Sequence, residues 1–320
     1  GRAGPGAEVA STTVTLTGGQ LCADQGPFTS YAVFGGGNYA GVTGCAQVSV
    51  SQEAELLAPL YGGGRHAAAG AVRVRVGGVS LQKLCGGGLG EEAAVGEAEV
   101  TLEDGATAVE LYGAGGGRAP AGGPPPDIRV SLIGSEVSGA LYGGTDGTDA
   151  EGEVTLSLSA GARAAQLYGG CRAGRLEGSV SILLEQAEVG RLFGGGRQGG
   201  LSGGVQIRLR EGALVSEALY GGSDGADGLE RSCAVDAVCI LLEGGAVGSP
   251  EREASLFGGG RSAHVTQSAV LLLGDGDLYG TVSPGGEGSG TMRGSLLYRD
   301  RRATVEGICP LRRSLTVAAG

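Results

Sequence analysis

The chain has 320 residues, 69 of them glycine, and a formal net charge of −11. That charge argues against a nucleic-acid-binding face, which needs clustered basic side chains to neutralise phosphates. The glycines lack the three-residue period of collagen, and a hydrophobic fraction of 41% in alternating runs argues against disorder, which leaves tight turns between short strands.

Residues 1–30 hold one strand-like run, Val14-Thr15-Leu16-Thr17, and read as a first coil or cap. A two-part unit then recurs over residues 31–290. Its first part alternates aliphatic and polar residues, as in Val48-Ser49-Val50, Val72-Arg73-Val74-Arg75-Val76, Val100-Thr101-Leu102, Ile128-Arg129-Val130-Ser131-Leu132, Val154-Thr155-Leu156-Ser157-Leu158 and Val205-Gln206-Ile207-Arg208-Leu209. A period of two places the aliphatics on one face of a strand and the polar side chains on the other. Some 11–13 residues later comes the second part: a leucine, an aromatic and glycines. Copies are Leu60-Tyr61-Gly62-Gly63-Gly64, Leu111-Tyr112-Gly113, Leu141-Tyr142-Gly143, Leu167-Tyr168-Gly169, Leu192-Phe193-Gly194, Leu219-Tyr220-Gly221, Leu256-Phe257-Gly258 and Leu278-Tyr279-Gly280, with Val33-Phe34-Gly35 and Leu84-Cys85-Gly86 as variants. Turn formers such as Glu103-Asp104-Gly105 and Ser159-Ala160-Gly161 separate the two parts, and small residues after the glycines suggest a weaker third strand.

The copies recur about every 27 residues, a solenoid interval. One unit cannot bury its aliphatic face alone, whereas stacked units can, each strand pairing in parallel with its counterpart one coil away. The expected architecture is therefore all-β: a single-domain parallel β-helix (β-solenoid) over residues 1–320, with about 10 coils of roughly 27 residues. Right-handedness follows from the general rule for parallel crossovers. The proline-rich stretch Ala119–Pro126 is expected to protrude, the long interval from Tyr220 to Phe257 implies an insertion near Ala246–Glu253, and residues 291–320, rich in arginine, read as a terminal coil or cap.

Strand, turn and Leu-Tyr/Phe-Gly-Gly-Gly, repeated over roughly residues 31–282, resembles the glycine-rich (V/L)-(Y/F)-G-G-G repeat surface proteins of gut bacteria. The resemblance implies a right-handed parallel β-helix at a bacterial surface with an adhesin-like role. Repeats of that kind are often rich in asparagine, and this chain has only Asn38, so asparagine ladders are no stabilising device here.

The inventory for catalysis is thin. His66 and His264 fall in loops of distant repeats, which argues against a histidine metal site. Gly200-Leu201-Ser202-Gly203-Gly204 matches the nucleophile-elbow pattern, but no helix is expected after it. The seven cysteines form no C-x-x-C motif and read as small buried hydrophobes or as disulfide partners. Two acidic turns, with Asp146 and Asp149 in one and Asp224 and Asp227 in the other, offer oxygen ligands of the kind calcium accepts, or are plain solvated turns. Otherwise no cofactor is expected. Alternation turns the rings of Tyr112, Tyr142, Tyr168, Phe193 and Tyr220 outward, as a flat ligand platform or as packing over the glycines of adjacent coils. Arginines after the glycines (Arg65, Arg118, Arg197 and Arg261) are placed to pair with acidic turns of neighbouring coils.

These readings converge on a non-catalytic structural or adhesive module of a secreted or cell-surface bacterial protein, a stalk or binding rod. The alternatives are a polysaccharide-binding or polysaccharide-degrading β-helix and a self-assembling fibre subunit. Expected partners are an extracellular glycan or protein and other copies of the chain, end to end or side by side, with no nucleic acid. No apolar run reaches the ~20 residues of a membrane-spanning helix, so no membrane insertion is expected. The opening Gly1-Arg2-Ala3-Gly4-Pro5 reads as a processed or excised piece.

Overall fold

The structure is a computed structural model that describes residues 7–21, 32–117, 125–299, 304–308 and 315–319. Successive windings lie on one another in about nine turns with a ~27-residue spacing, close to the expected ten. One sheet of 15 strands and a second of 12 run along the axis. Equivalent strands pair in parallel from winding to winding, as Val100 with Val130 and Val130 with Leu156. No helix occurs among the described residues, so none is long and apolar enough to cross a membrane.

The core follows from the alternation. In the 15-stranded sheet the inward column reads Val48, Val74, Val100, Val130, Leu156, Ile182, Ile207, Ile240 and Leu271, each at most 2% exposed. The second sheet answers with Leu60, Leu84, Leu111, Leu141, Leu167, Leu192, Leu219 and Leu256, all fully buried. Each such side chain contributes roughly 1.5–3 kcal/mol of apolar burial. The third strand is real but short: Ala150-Glu151 pairs with Leu176-Glu177, and Leu176 pairs with Leu201. Strand edges thus find partners along the whole stack, which a single winding could not provide.

The corner between the sheets is tight. At Ser159–Ala162 both central residues have positive φ, Ala160 at 56° and Gly161 at 84°, and the Ala162 N–H donates to the Ser159 carbonyl at 3.0 Å. The glycines after the aromatic do a different job. Gly143 and Gly194 lie outside the positive-φ set. A Cβ on Gly143 would lie 2.2 Å from the Gly169 carbonyl oxygen and 2.5 Å from Val154 Cγ1, and one on Gly194 would meet Gly221 and Val205 in the same way. Space, not backbone conformation, selects glycine there.

Two local expectations need correction. Leu278-Tyr279 does not continue the aromatic unit: Leu278 pairs with Val247, and Ser283 pairs with Phe257. The core position opposite Val247 required an aliphatic, and Leu278 took it. The long winding is extended in two places rather than one. Val205 follows Phe193 by 12 residues whereas Val238 follows Tyr220 by 18, and the remainder interrupts one strand between Ala246-Val247 and Ser255–Phe257. The stack continues past residue 291. Met292–Arg299 pairs with Val265–Leu273 and then with Leu315–Ala319. Most of the proline-rich stretch, together with Arg118, Cys22 and Cys309, lies outside the described residues. The described cysteines are all free, with Cys85, Cys171 and Cys233 buried.

Two substitutions separate the roles of the small residues. Gly143→Ala forces a Cβ into backbone and is expected to destabilise the fold by about 3 kcal/mol. Ala160→Gly relieves a left-handed alanine at an exposed corner and is expected to stabilise by about 0.5 kcal/mol. Urea denaturation of both variants measures the two signs.

Candidate functional site

The residue after each core leucine defines a second column outside the second sheet. Phe34, Tyr61, Cys85, Tyr112, Tyr142, Tyr168, Phe193, Tyr220 and Phe257 occupy one register. From Tyr112 to Phe257 the ring centroids lie 4.6–5.0 Å apart with interplanar angles of 3–10°. Phe34 stacks on Tyr61 in the same manner, at 5.2 Å. The winding repeat imposes this spacing, and it falls in the range where aromatic pairs attract.

The rings are not an open platform. Tyr112, Tyr142, Tyr168 and Phe193 are at most 2% exposed and Tyr220 is 6% exposed. They do point away from the sheet, as alternation requires, but the chain beyond the glycines folds back over them. The residue four positions after each ring from Tyr142 to Phe257, and after Ser283, the register partner of Phe257, forms a further ladder, Asp146, Arg172, Arg197, Asp224, Arg261 and Glu287. Backbone bridges join Arg197 to Asp224, Asp224 to Arg261 and Arg261 to Glu287. Below them the Arg172 N–H donates to the Thr145 carbonyl and the Arg197 N–H to the Cys171 carbonyl.

This charged ladder caps the ring edges. The Tyr168 hydroxyl donates to Gln166 Oε1 at 2.9 Å and to Asp224 Oδ2 at 3.3 Å, and the Tyr220 hydroxyl donates to Glu287. The Arg197 guanidinium hydrogen-bonds the Tyr142 hydroxyl. Burial first, and neighbouring carboxylates second, push the Tyr112 and Tyr168 hydroxyls well above the ordinary phenol range. Within the ladder, Arg261 pairs with the nearly buried Asp224 at 2.7 Å, an arginine–acidic-turn contact of the expected kind. Asp146 takes both Lys83 and Arg172. Arg172 and Glu287 escaped the sequence reading because they follow no triple glycine. For Arg172 the fixed offset from the ring column was the available signal, whereas Glu287 follows Ser283 and no ring marks it.

The four aspartates considered for calcium do not converge. Asp146 is held by two cations and Asp224 by Arg261. One Asp149 oxygen accepts the Arg175 N–H, and one Asp227 oxygen accepts the Ser262 and Ser289 hydroxyls. Among the described residues no three His, Cys, Asp or Glu side chains group to hold a metal. His66 stacks on Tyr39, and His264 Nδ1 accepts the Thr291 N–H, many windings away. Ser202 lies within the strand Leu201–Arg210, so the nucleophile-elbow match is fortuitous.

A groove of about 500 Å³ lies at the corner between the two sheets, away from the rings. It is lined by Glu53, Arg75, Glu103 and Asp104 from neighbouring windings, with Ser49 and Gln52 beside them. Arg75 is committed there to Glu103 through both Nε and Nη2.

The Asp146 carboxylate gives a pH signature. Its burial alone would raise the pKa, but hydrogen bonds from Lys83 and Arg172 outweigh that and hold it below the ordinary value. Its contribution to stability is complete above the ordinary carboxylate range and is lost as pH falls through the lowered folded value. Asp146→Asn is therefore expected to be less stable than the parent at neutral pH, with the difference closing under acid, as measured by thermal melts across pH.

Comparison with known proteins yields no match of any kind: no family model, no curated protein and no solved structure aligns significantly with the chain.

Proposed function

We propose that the chain is a rigid, non-catalytic rod of a secreted or cell-surface bacterial protein, working as a stalk or display element with adhesive potential. One observation carries this reading: aliphatic core and ring column keep a single register from winding to winding, so no hinge interrupts the stack between Tyr112 and Phe257. Bending such a rod would open ring contacts worth about 0.5–1.5 kcal/mol each on one side while compressing close-packed backbone on the other. The charged side chains over the rings pair with one another and so contribute to closing the surface.

The acidic groove supports a second reading, in which the rod also holds a glycan. Three carboxylates against one arginine, itself paired with Glu103, favour a neutral or amino sugar over an acidic polymer. Sugar hydroxyls would donate to Glu53 and Asp104.

A glycan array joined to an assay for released reducing ends separates these functions. The rod reading expects no cleavage of any polymer. The glycan reading expects hits confined to neutral or aminated saccharides, weakened about tenfold by Glu53→Gln with Asp104→Asn. Depolymerisation that these substitutions abolish would replace both with an enzyme.

A further inference from the structure

The phenol hydroxyls of the ring column do not share one environment. Near Tyr112 and Tyr142 stand cations: the Lys83 ammonium lies 4.8 Å from the Tyr112 centroid, and Arg197 hydrogen-bonds the Tyr142 hydroxyl. The Tyr112 hydroxyl donates to Glu110 at 3.3 Å, and that of Tyr168 to Gln166 and Asp224, but Asp224 is already bound to Arg261. Tyr220 differs. Its hydroxyl donates to Glu287 Oε2, and among the described residues no lysine or arginine side chain pairs with that carboxylate. Arg261 also faces this level, held by Asp224.

This pairing has a chemical consequence. A phenol gives up an electron readily only if its proton leaves in the same step, because the charged radical is otherwise stranded on the ring. Burial pushes the Tyr220 hydroxyl above the ordinary phenol range, so no phenolate exists beforehand and the proton needs a base in contact. Glu287 is that base. The rings on either side are Phe193 at 4.6 Å and Phe257 at 4.7 Å, tilted by only 3° and 5°. Both lack the hydroxyl and are harder to oxidise, so they give electronic contact without competing. Beyond Phe193 the column continues through Tyr168, Tyr142 and Tyr112 at 4.9–5.0 Å.

We infer that Tyr220 and Glu287 form a redox site, where an oxidising radical from solution is quenched as a neutral tyrosyl radical, and that the stacked rings pass oxidising equivalents to it along the rod. The oxidant gains one electron, the Tyr220 ring loses it, and the O–H proton passes to Glu287 Oε2. No charge is left on the buried ring. Where the oxidant takes its electron from Tyr168 instead, an electron from Tyr220 refills that ring across Phe193. Tyr168 then keeps its proton, and Glu287 takes the proton of Tyr220. A thiol or ascorbate in solution returns the electron, and Glu287 returns the proton. The cations at Tyr112 and Tyr142 disfavour a positive hole there, which drives it toward Tyr220. The site is independent of the acidic groove and of any glycan bound there.

The probe is the azide radical, a one-electron oxidant, generated by pulse radiolysis on the whole chain and followed by freeze-quenched electron paramagnetic resonance. The sequence has no tryptophan, so the ring radical is carried by its 9 tyrosines. Tyr220→Phe keeps a ring in the column, as Phe193 and Phe257 do, and is expected to remove most of the long-lived signal. Glu287→Gln keeps a hydrogen-bond partner but removes the base, and should lose the signal almost as fully. Tyr39→Phe should change little, although Tyr39 is 53% exposed and stacks on His66 outside the column. Phe193→Leu opens the stack and should strand part of the radical on other tyrosines, with thermal melts confirming that each variant is folded. A signal spread by exposure, with Tyr39 foremost, would overturn the inference. So would a Tyr220 radical that is indifferent to Glu287→Gln, and a signal unchanged by Phe193→Leu would overturn the passage along the rings.

Discussion

Parallel stacking in register makes every side chain the neighbour of its own counterpart, one strand spacing away, and the rest of the structure adapts to that condition. A residue tolerated once must be tolerated against its own kind at about 4.8 Å. Leucines and valines meet the demand in the interior by filling a narrow space from both sheets. Flat rings meet it outside the second sheet, because a ring stacks on another ring at about that centroid distance. Glycine meets it just after the ring, where the windings approach so closely that carbonyl oxygens occupy the place of a Cβ.

Charge obeys the same condition with the opposite sign. Like charges stacked at such spacing repel, so a charged column must alternate or find outside partners. The ladder over the rings does both. Asp146 and Arg172 pair along the column, as do Asp224 and Arg261, while Arg197 turns to the Tyr142 hydroxyl. These contacts are partly exposed, and each contributes modestly. Their larger consequence is geometric: they hold the returning chain over the rings and keep water from the stack. The 15-stranded sheet has a counterpart on its outer face, where Arg73 meets Glu99 of the next winding and Ser131 meets Ser157.

Much of the fold was legible because the repeat is periodic in chemistry as well as in length. Alternation told the inward Val100 from the outward Thr101, and Glu103-Asp104-Gly105 marked the corner. The candidate site was less legible. Sequence alternation correctly aims Tyr142 outward, but whether an outward ring meets solvent depends on where the chain goes after the glycines, and that path is set by pairing between windings. Tyr279 misled for a related reason: its local motif fits, yet pairing of Leu278 with Val247 decides its level. The acidic groove was invisible because Glu53, Arg75 and Glu103 lie far apart in the chain and share only a corner.

The register itself can be measured directly. Ser131 and Ser157 face outward on adjacent windings with their hydroxyl oxygens 3.1 Å apart. Their Cα atoms are direct partners in the parallel ladder, a separation of about 4.8 Å that a disulfide accommodates. In the double variant Ser131→Cys, Ser157→Cys, mild oxidation followed by peptide mapping is expected to find those two positions joined. In Ser131→Cys, Leu183→Cys, whose positions lie two windings apart, it is expected to find no such link. A 131–183 disulfide, or failure of 131 to join 157, would contradict the stacked register on which the account stands.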